Sequence, residues 1–257
     1  MAMDFHHHIV AIEPSRMNWI LKVRVTRMWP TLDADGTFVR QNMILLDCLF
    51  SHIHAIVTPA RWNQIGHHVQ EGHVYIVRNF RVLPPQGRLR PVRTSKCISF
   101  LDQTIMYQVP GEDLNIRLHK FEIVPLDNLA DIIVSEDADF KPLYATDVVG
   151  VLDSLQPFQT TITTGGINKQ VVRFSITDGR ISHPVRFFGP MNQNTASLYD
   201  HAHETEVIVI LACVRISKHR GKIWISNLAG TKVYINLAYP EVFELRQRLL
   251  EDENHLP

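Results

Sequence analysis

One plan of segments occurs twice along these 257 residues, and it constrains the fold more than any other feature of the chain. The first copy opens with WILKVRVTRMW, whose alternating β-branched residues predict a strand over 20–28. The polar run PTLDADGTF follows. MILLDCLFSHIHAIV then divides into two strands near residues 47–50. PARWNQIGHHVQEG predicts a short helix closed by Gly72, HVYIVRNFRVL a long strand, PPQG a turn and CISFL a last strand. The second copy runs ATDVVGVLDSL, a strand, then QPFQTTITTGGINK, a long polar loop. QVVRFSI and ISHPVRFF flank Thr177-Asp178-Gly179-Arg180, where Asp-Gly is a strong hairpin signal. A short helix fits GPMNQNTASLYDHAH. The strands ETEVIVILACVRIS and IWISNL then enclose the basic turn SKHRGK. LAYPEVFELRQRLLED predicts a C-terminal helix with Pro240 near its start.

Strand, long loop, hairpin, short helix, strand, turn, strand is the order of the five-stranded Greek-key barrel called the OB-fold. Finding it twice in register is stronger evidence than finding it once. The expected fold class is therefore all-β, with two tandem OB-fold barrels, short helices and a C-terminal helix. The expected division is an N-terminal extension over 1–14, a first OB-fold domain over 15–125, an acidic linker over 126–146 and a second OB-fold domain over 147–257.

Charge follows the same division. The totals balance at 26 basic and 26 acidic residues. Residues 15–125 nevertheless carry fourteen bases against eight acids, a net of +6. The linker holds Asp127, Asp131, Glu136, Asp137 and Asp139 against Lys141. A basic first unit in a neutral chain points to a polyanionic partner.

The basic residues concentrate where the barrel plan places the mouth of a cleft. RNFRVLPPQGRLRPVRTSK, residues 78–96, holds five arginines and a lysine around Phe80. Arg88, Arg90 and Arg93 surround the Gly87 turn, with Arg78 and Phe80 on the strand that feeds it and Arg24 on the first strand. Single-strand binding needs cations along the phosphates and flat faces for unpaired bases, and arginine supplies both. Phe80 shares parity with Val74, Ile76 and Val82, so a core position is equally compatible with the pattern.

In the second unit, Val172, Phe174 and Ile176 alternate with Val171, Arg173 and Ser175. Across the hairpin, Val185 and Phe187 join the first set, which leaves Arg173, Arg186 and Phe188 on one outward face. A two-residue turn pairs Thr177 with Arg180 and sets Val171 against Arg186. Arg215, Lys218, Arg220 and Lys222 bracket His219 in the opposing turn. Trp29 and Trp224 fit packing better than ligand contact.

These motifs resemble the replication protein A large subunit, in particular its plant-type members. VVGVLDSL, VVRFSITDGRISHPVRFFG, VRISKHRGKIWIS and YPEVFELRQRL resemble its second DNA-binding OB domain. LKVRVTRMW, MILLDCLFSHIHAIV and EGHVYIVRNFRVLPPQGRLRPV resemble the preceding one. The resemblance covers about residues 18–250. It implies single-stranded DNA binding without catalysis, in DNA replication, repair, recombination or telomere maintenance, and nuclear residence. RNA is a possible ligand, and other replication-protein-A-like subunits or repair and recombination proteins are implied partners. It places base-stacking positions at Phe188 and His219 in the second unit; in the first unit the two aromatic positions of the family fall near Gln41 and Val77, and plant-type members favour instead the Asn79-Phe80 pair. The alternative is an OB-fold protein-interaction module that has lost the groove, with a partner docking on residues 48–50.

Other classes find no support. There is no GxxxxGK[ST], GxSxG or HExxH and no clustered carboxylates at metal spacing, so neither an enzyme, a metal nor a cofactor is expected. Cys48, Cys97 and Cys213 are far apart and never form CxxC, which fits a reducing compartment. No apolar run approaches the ~18 residues of a membrane span, and MAMDFHHHIV lacks the plan of a secretory signal.

Overall fold

The computed structural model describes residues 5–133, 141–162 and 168–254. It divides into two compact units, Met1–Lys120 and Phe121–Pro257. The acidic residues 134–140 and the Gly165-Gly166 pair lie outside the described residues.

In the first unit, β1 (Ile20–Leu32), β2 (Phe38–Leu46) and β3 (His52–Val57) form an antiparallel meander. The helix α1 (Pro59–Ile65) follows, with Thr58 Oγ1 accepting from Arg61 N and Pro59 at the first helical position. The fourth barrel strand is broken into β4 (Val74–Arg78) and β5 (Arg81–Leu83). The fifth is broken into β6 (Cys97–Ser99) and β7 (Ile105–Gln108). β4 returns to pair with β1, β5 and β4 pair with β6 and β7, and β6 runs parallel to β3. That closes the ring 1-2-3-5-4-1 of an OB-fold. The long polar loop expected after β1 is short: β1 and β2 run on to a tight turn in which Asp33 accepts from Asp35 N and Thr37 N. Leu21, Val23, Val25, Met43, Leu45, Ile53, Ala55, Tyr75, Val77, Phe80, Val82 and Ile98 fill the barrel.

The second unit repeats the ring with β8 (Thr146–Asp153), β9 (Gln159–Ile162), β10 (Asn168–Thr177), β11 (Ser182–Phe188), α2 (Gln193–Asp200), β12 (Ile208–His219) and β13 (Lys222–Ile235). β8 pairs with β10 and β12, β12 with β13, and β13 lies parallel to β11. The capping box of Asn192 and Thr195 starts α2 between the third and fourth strands, where α1 sits in the first unit. α3 (Pro240–Asn254) buries Val242 and Leu245 against Ile208, Ile210, Ala212 and Phe121. The 3-10 turn Leu126–Ala130 sends Leu126 and Leu129 into this unit's core, so the first residues expected to be linker pack as part of the second barrel.

The two copies share a local device. At the turn between the second and third strands, Asp47 Oδ1 accepts from Leu49 N and Ser51 N, while Asp178 Oδ1 accepts from Arg180 N and Ile181 N. Asp47 is 2% exposed, and its Oδ2 also accepts from Ile9 N at 2.8 Å, tying the N-terminal segment to the barrel. Removing a buried carboxylate strands three donors. Asp47→Ala is expected to lower stability by about 2–4 kcal/mol, read from the urea midpoint, with Asp47→Asn retaining part of the loss.

Candidate nucleic-acid interface

The Asp178 turn also corrects the hairpin register. Asp178 N donates to Ile181 O, so four residues, not two, lie outside the ladder. The pairs are Thr177↔Ser182, Arg173↔Arg186 and Val171↔Phe188. A shift of two residues preserves the face of every side chain. Val172, Phe174, Ile176, Val185 and Phe187 are buried, and Arg173, Arg186 and Phe188 share the other face.

The remaining strands extend that face. Arg186 pairs with Ser226 of β13, and Ser226 pairs with Arg215 of β12. Arg173, Arg186, Ser226 and Arg215 therefore form one row across four adjacent strands. Ser217↔Trp224 and His219↔Lys222 lie two and four residues farther along β12 and β13, on the same side. Arg186, Phe188, Ser217, His219, Trp224 and Ser226 line a cleft of about 210 Å³. The Arg186 guanidinium carbon stands 3.7 Å from the centre of the Trp224 ring. Burial, and then the like charge of Arg173, hold this guanidinium below its ordinary pKa. Arg173 donates to Gln159, and neither Arg186 nor Arg215 has an acidic partner among the described residues. Asp153, at the edge of the same face, is bound by Ser175 Oγ. Like charges brought directly opposite on a sheet destabilise it, and an anion that neutralises them stabilises it.

Phe188 is 42% exposed and belongs to no core cluster. Its backbone is clamped on both sides by Asn227, whose Oδ1 accepts from Phe188 N at 2.7 Å and whose Nδ2 donates to Phe188 O at 2.9 Å. Arg220 and Gly221 adopt positive φ in the two-residue turn that presents His219. Lys218 pairs with Ile223 and falls on the opposite side of the strand from His219. Arg220 belongs to the turn itself. Trp224, expected to pack internally, is the second aromatic of the face. Its parity with Lys222 and Ser226, against buried Ile225, was the available signal.

The first unit rearranges the expected residues more strongly. Phe80 is 0% exposed and lies inside the barrel. Arg24 is buried and structural: its guanidinium donates to Ile116 O, Asp113 O and Gly72 O, pinning the segment that follows β7. Arg78 donates to the Tyr107 hydroxyl at 3.1 Å, on the side of the barrel formed by β4 and β7. Arg88 and Arg93 are exposed in the segment over 84–96. Arg90 lies in the two-residue strand Leu89–Arg90 of that segment, partly buried, and its Nε is buried with no hydrogen-bond partner among the described residues.

The outward face of β1, β2 and β3 holds a group that the basic loop only hinted at. Trp29 and His54 rings are parallel within 6°, with centroids 5.9 Å apart. Asn42 Nδ2 donates to Trp29 O and to Thr31 Oγ1, and Asn42 Oδ1 lies 3.0 Å from His54 Nε2. Arg40 Nε donates to Thr31 Oγ1. Burial, with Arg40 nearby, pushes the His54 pKa down to about 4. Burial raises the pKa of the Cys97 thiol, while a hydrogen bond to the Gln86 backbone and the charges of Arg40 and Arg90 act in the opposite sense. Phe50 of the turn over 48–50 is half-buried, with Arg117 at 4.8 Å and Lys120 at 5.1 Å from its ring centre. These two cations face the Phe50 ring, while Cys48 and Leu49 of the same turn are exposed.

No group of three metal-ligating side chains occurs among the described residues. No helix there is long and apolar enough to cross a membrane.

The comparisons with known proteins agree with this architecture. Residues 10–128 match a family described as a domain of unknown function, DUF223. A replication protein A 70 kDa DNA-binding subunit from Arabidopsis thaliana is 22% identical over 93% of this chain and 39% of its own length. A protein of the same description from Oryza sativa subsp. japonica is 23% identical over 97% of this chain and 26% of its own length. The chain thus spans about two-fifths or less of the curated relatives it matches. A solved chain from a replication protein A heterotrimer bound to ssDNA superposes with a TM-score of 0.64 at 19% identity, over 97% of this chain and 56% of that one. Along nearly its whole length the chain is similar, at 22–23% identity, to plant replication protein A 70 kDa DNA-binding subunits, and its two units share the OB-fold with the solved replication protein A chain.

Proposed function

We propose that this protein binds single-stranded DNA, largely without regard to sequence, by stacking bases on aromatic side chains and contacting phosphates with arginines in the two OB grooves. The observation that carries the reading is the row Arg173–Arg186–Ser226–Arg215 with Phe188 and Trp224 on the same face. A row of guanidiniums without acidic partners among the described residues, flanked by partly exposed rings, suits a chain of phosphates with exposed bases. A duplex hides its bases and cannot use the rings. The first unit contributes more weakly, through Trp29, Arg40 and Arg90, with Arg88 and Arg93 as outer phosphate contacts. Two modest sites on one chain gain from effective concentration. The protein acts by binding rather than catalysis, in nuclear DNA replication, repair or recombination, alongside other replication-protein-A-like subunits. The names of its distant relatives, DNA-binding subunits of replication protein A, support DNA binding and replication within that setting.

Titration of fluorescent single-stranded DNA, RNA and duplex across a salt series tests this. Single-strand affinity should fall with log salt at a slope of about −0.7 per phosphate contacted, so about −3 if Arg173, Arg186, Arg215 and Lys222 all engage. Binding that is insensitive to salt, or equally tight to duplex, overturns the reading.

A further inference from the structure

The polar cluster of the first unit fixes the chemistry of one ring nitrogen. Asn42 Nδ2 faces the carbonyl oxygen of Trp29, which can only accept, so the orientation of the amide is determined. Its Oδ1 therefore accepts, and His54 Nε2, 3.0 Å away, must donate. A histidine with a pKa of about 4 is neutral at pH 7 and carries one proton. That proton is on Nε2, which leaves Nδ1 a pure acceptor. Nδ1 has no hydrogen-bond partner among the described residues, and the residue is partly exposed. Trp29 lies parallel to the ring, and Arg40 donates to Thr31 Oγ1, the same hydroxyl that Asn42 Nδ2 contacts.

We propose that His54 is a specificity-determining residue of the first unit, whose Nδ1 accepts a hydrogen bond from the exocyclic amino group of a base. This rests on the single-stranded DNA reading above and adds a preference to it. The lone pair lies in the plane of the imidazole, so the partner base meets the ring edge-on. Cytosine N4 and adenine N6 donate outward from the base edge. Thymine offers O4 there, whose lone pairs oppose that of Nδ1, and its N3–H is flanked by two carbonyls. The first unit therefore favours amino-bearing bases over thymine.

The test compares oligo(dC) and oligo(dT) of equal length, titrated at pH 7.5 against the full chain and against His54→Phe and His54→Arg. One net hydrogen bond corresponds to about three- to tenfold tighter binding of dC by the unmodified chain. His54→Phe keeps a ring without the acceptor and should bring the ratio near one. His54→Arg replaces an acceptor with donors and should reverse it toward dT, which keeps the test decisive if the Phe variant folds poorly. A dC/dT ratio that is unchanged in the folded variants overturns the role of His54 and leaves single-strand binding intact. Failure of the unmodified chain to bind either oligonucleotide removes the binding reading, and this inference with it.

Discussion

Phe188→Ala is expected to weaken binding to a single-stranded oligonucleotide by about 5- to 150-fold, the equivalent of one lost base stack of roughly 1–3 kcal/mol. The ring is 42% exposed and takes no part in the barrel core, so its removal should leave the folded state nearly unchanged. Asn227 holds its backbone from both directions, so the ring stands ready without ordering cost on binding. Arg186 and Trp224 lie beside it in the same cleft. Phe188→Tyr preserves the stacking face and should bind within about twofold of the parent. Trp224→Ala should act in the same direction as Phe188→Ala, and the double variant should lose less than the product, because neighbouring groups in one cleft couple. Fluorescence anisotropy, with a urea denaturation curve for each variant, separates affinity from stability. Less than a twofold change in Phe188→Ala would place stacking elsewhere.

Phe80→Ala should do the opposite: cost about 3–5 kcal/mol of stability, with no direct contact to DNA removed. Phe80 is 0% exposed and packs in the barrel with Tyr75, Val77, Val82 and Ile98. It reaches that position through a break in the strand. Tyr75 and Val77 point inward on β4, Asn79 takes a positive φ of 59°, and Phe80 and Val82 then point inward on the other side of it. A residue inserted out of phase reverses the alternation of a strand, so the side shared by Val74 and Ile76 becomes the side of Val82 only after the kink. Chemical denaturation of Phe80→Ala checks the size of the loss. DNA affinity, measured where the variant is still folded, should stay within about threefold of the parent. A folded variant of normal stability would move Phe80 out of the core.

The same mechanism governs Trp29. Strict alternation counts it with Val23 and Val25, inside the barrel. The bulge between Val25 and Arg27 turns the register over, so Met28 packs on the core and Trp29 meets His54 on the outer face. In both strands a single extra residue decided whether an aromatic is core or surface, and nothing in the local composition marks where that residue falls.

Much is legible in the order of the residues alone. Two rounds of strand, hairpin, short helix and strand pair follow from period-two apolar patterns, Asp-centred turns and capped helices, because each of these is set by neighbours in the sequence. The outward face of Arg173, Arg186 and Phe188 is legible too, since an error of two residues in register leaves every side chain on its own face. The roles of Arg24, Arg186 and Trp224 depend on partners tens of residues away. Arg24 is structural because carbonyls at 72, 113 and 116 converge on it. Arg186 becomes the centre of a cationic row because β13 lies parallel to β11 and brings Ser226, and through it Arg215, into line. Which strands become neighbours is fixed by closing the barrel around one core. That is a property of the whole packed chain, and a local pattern carries no record of it.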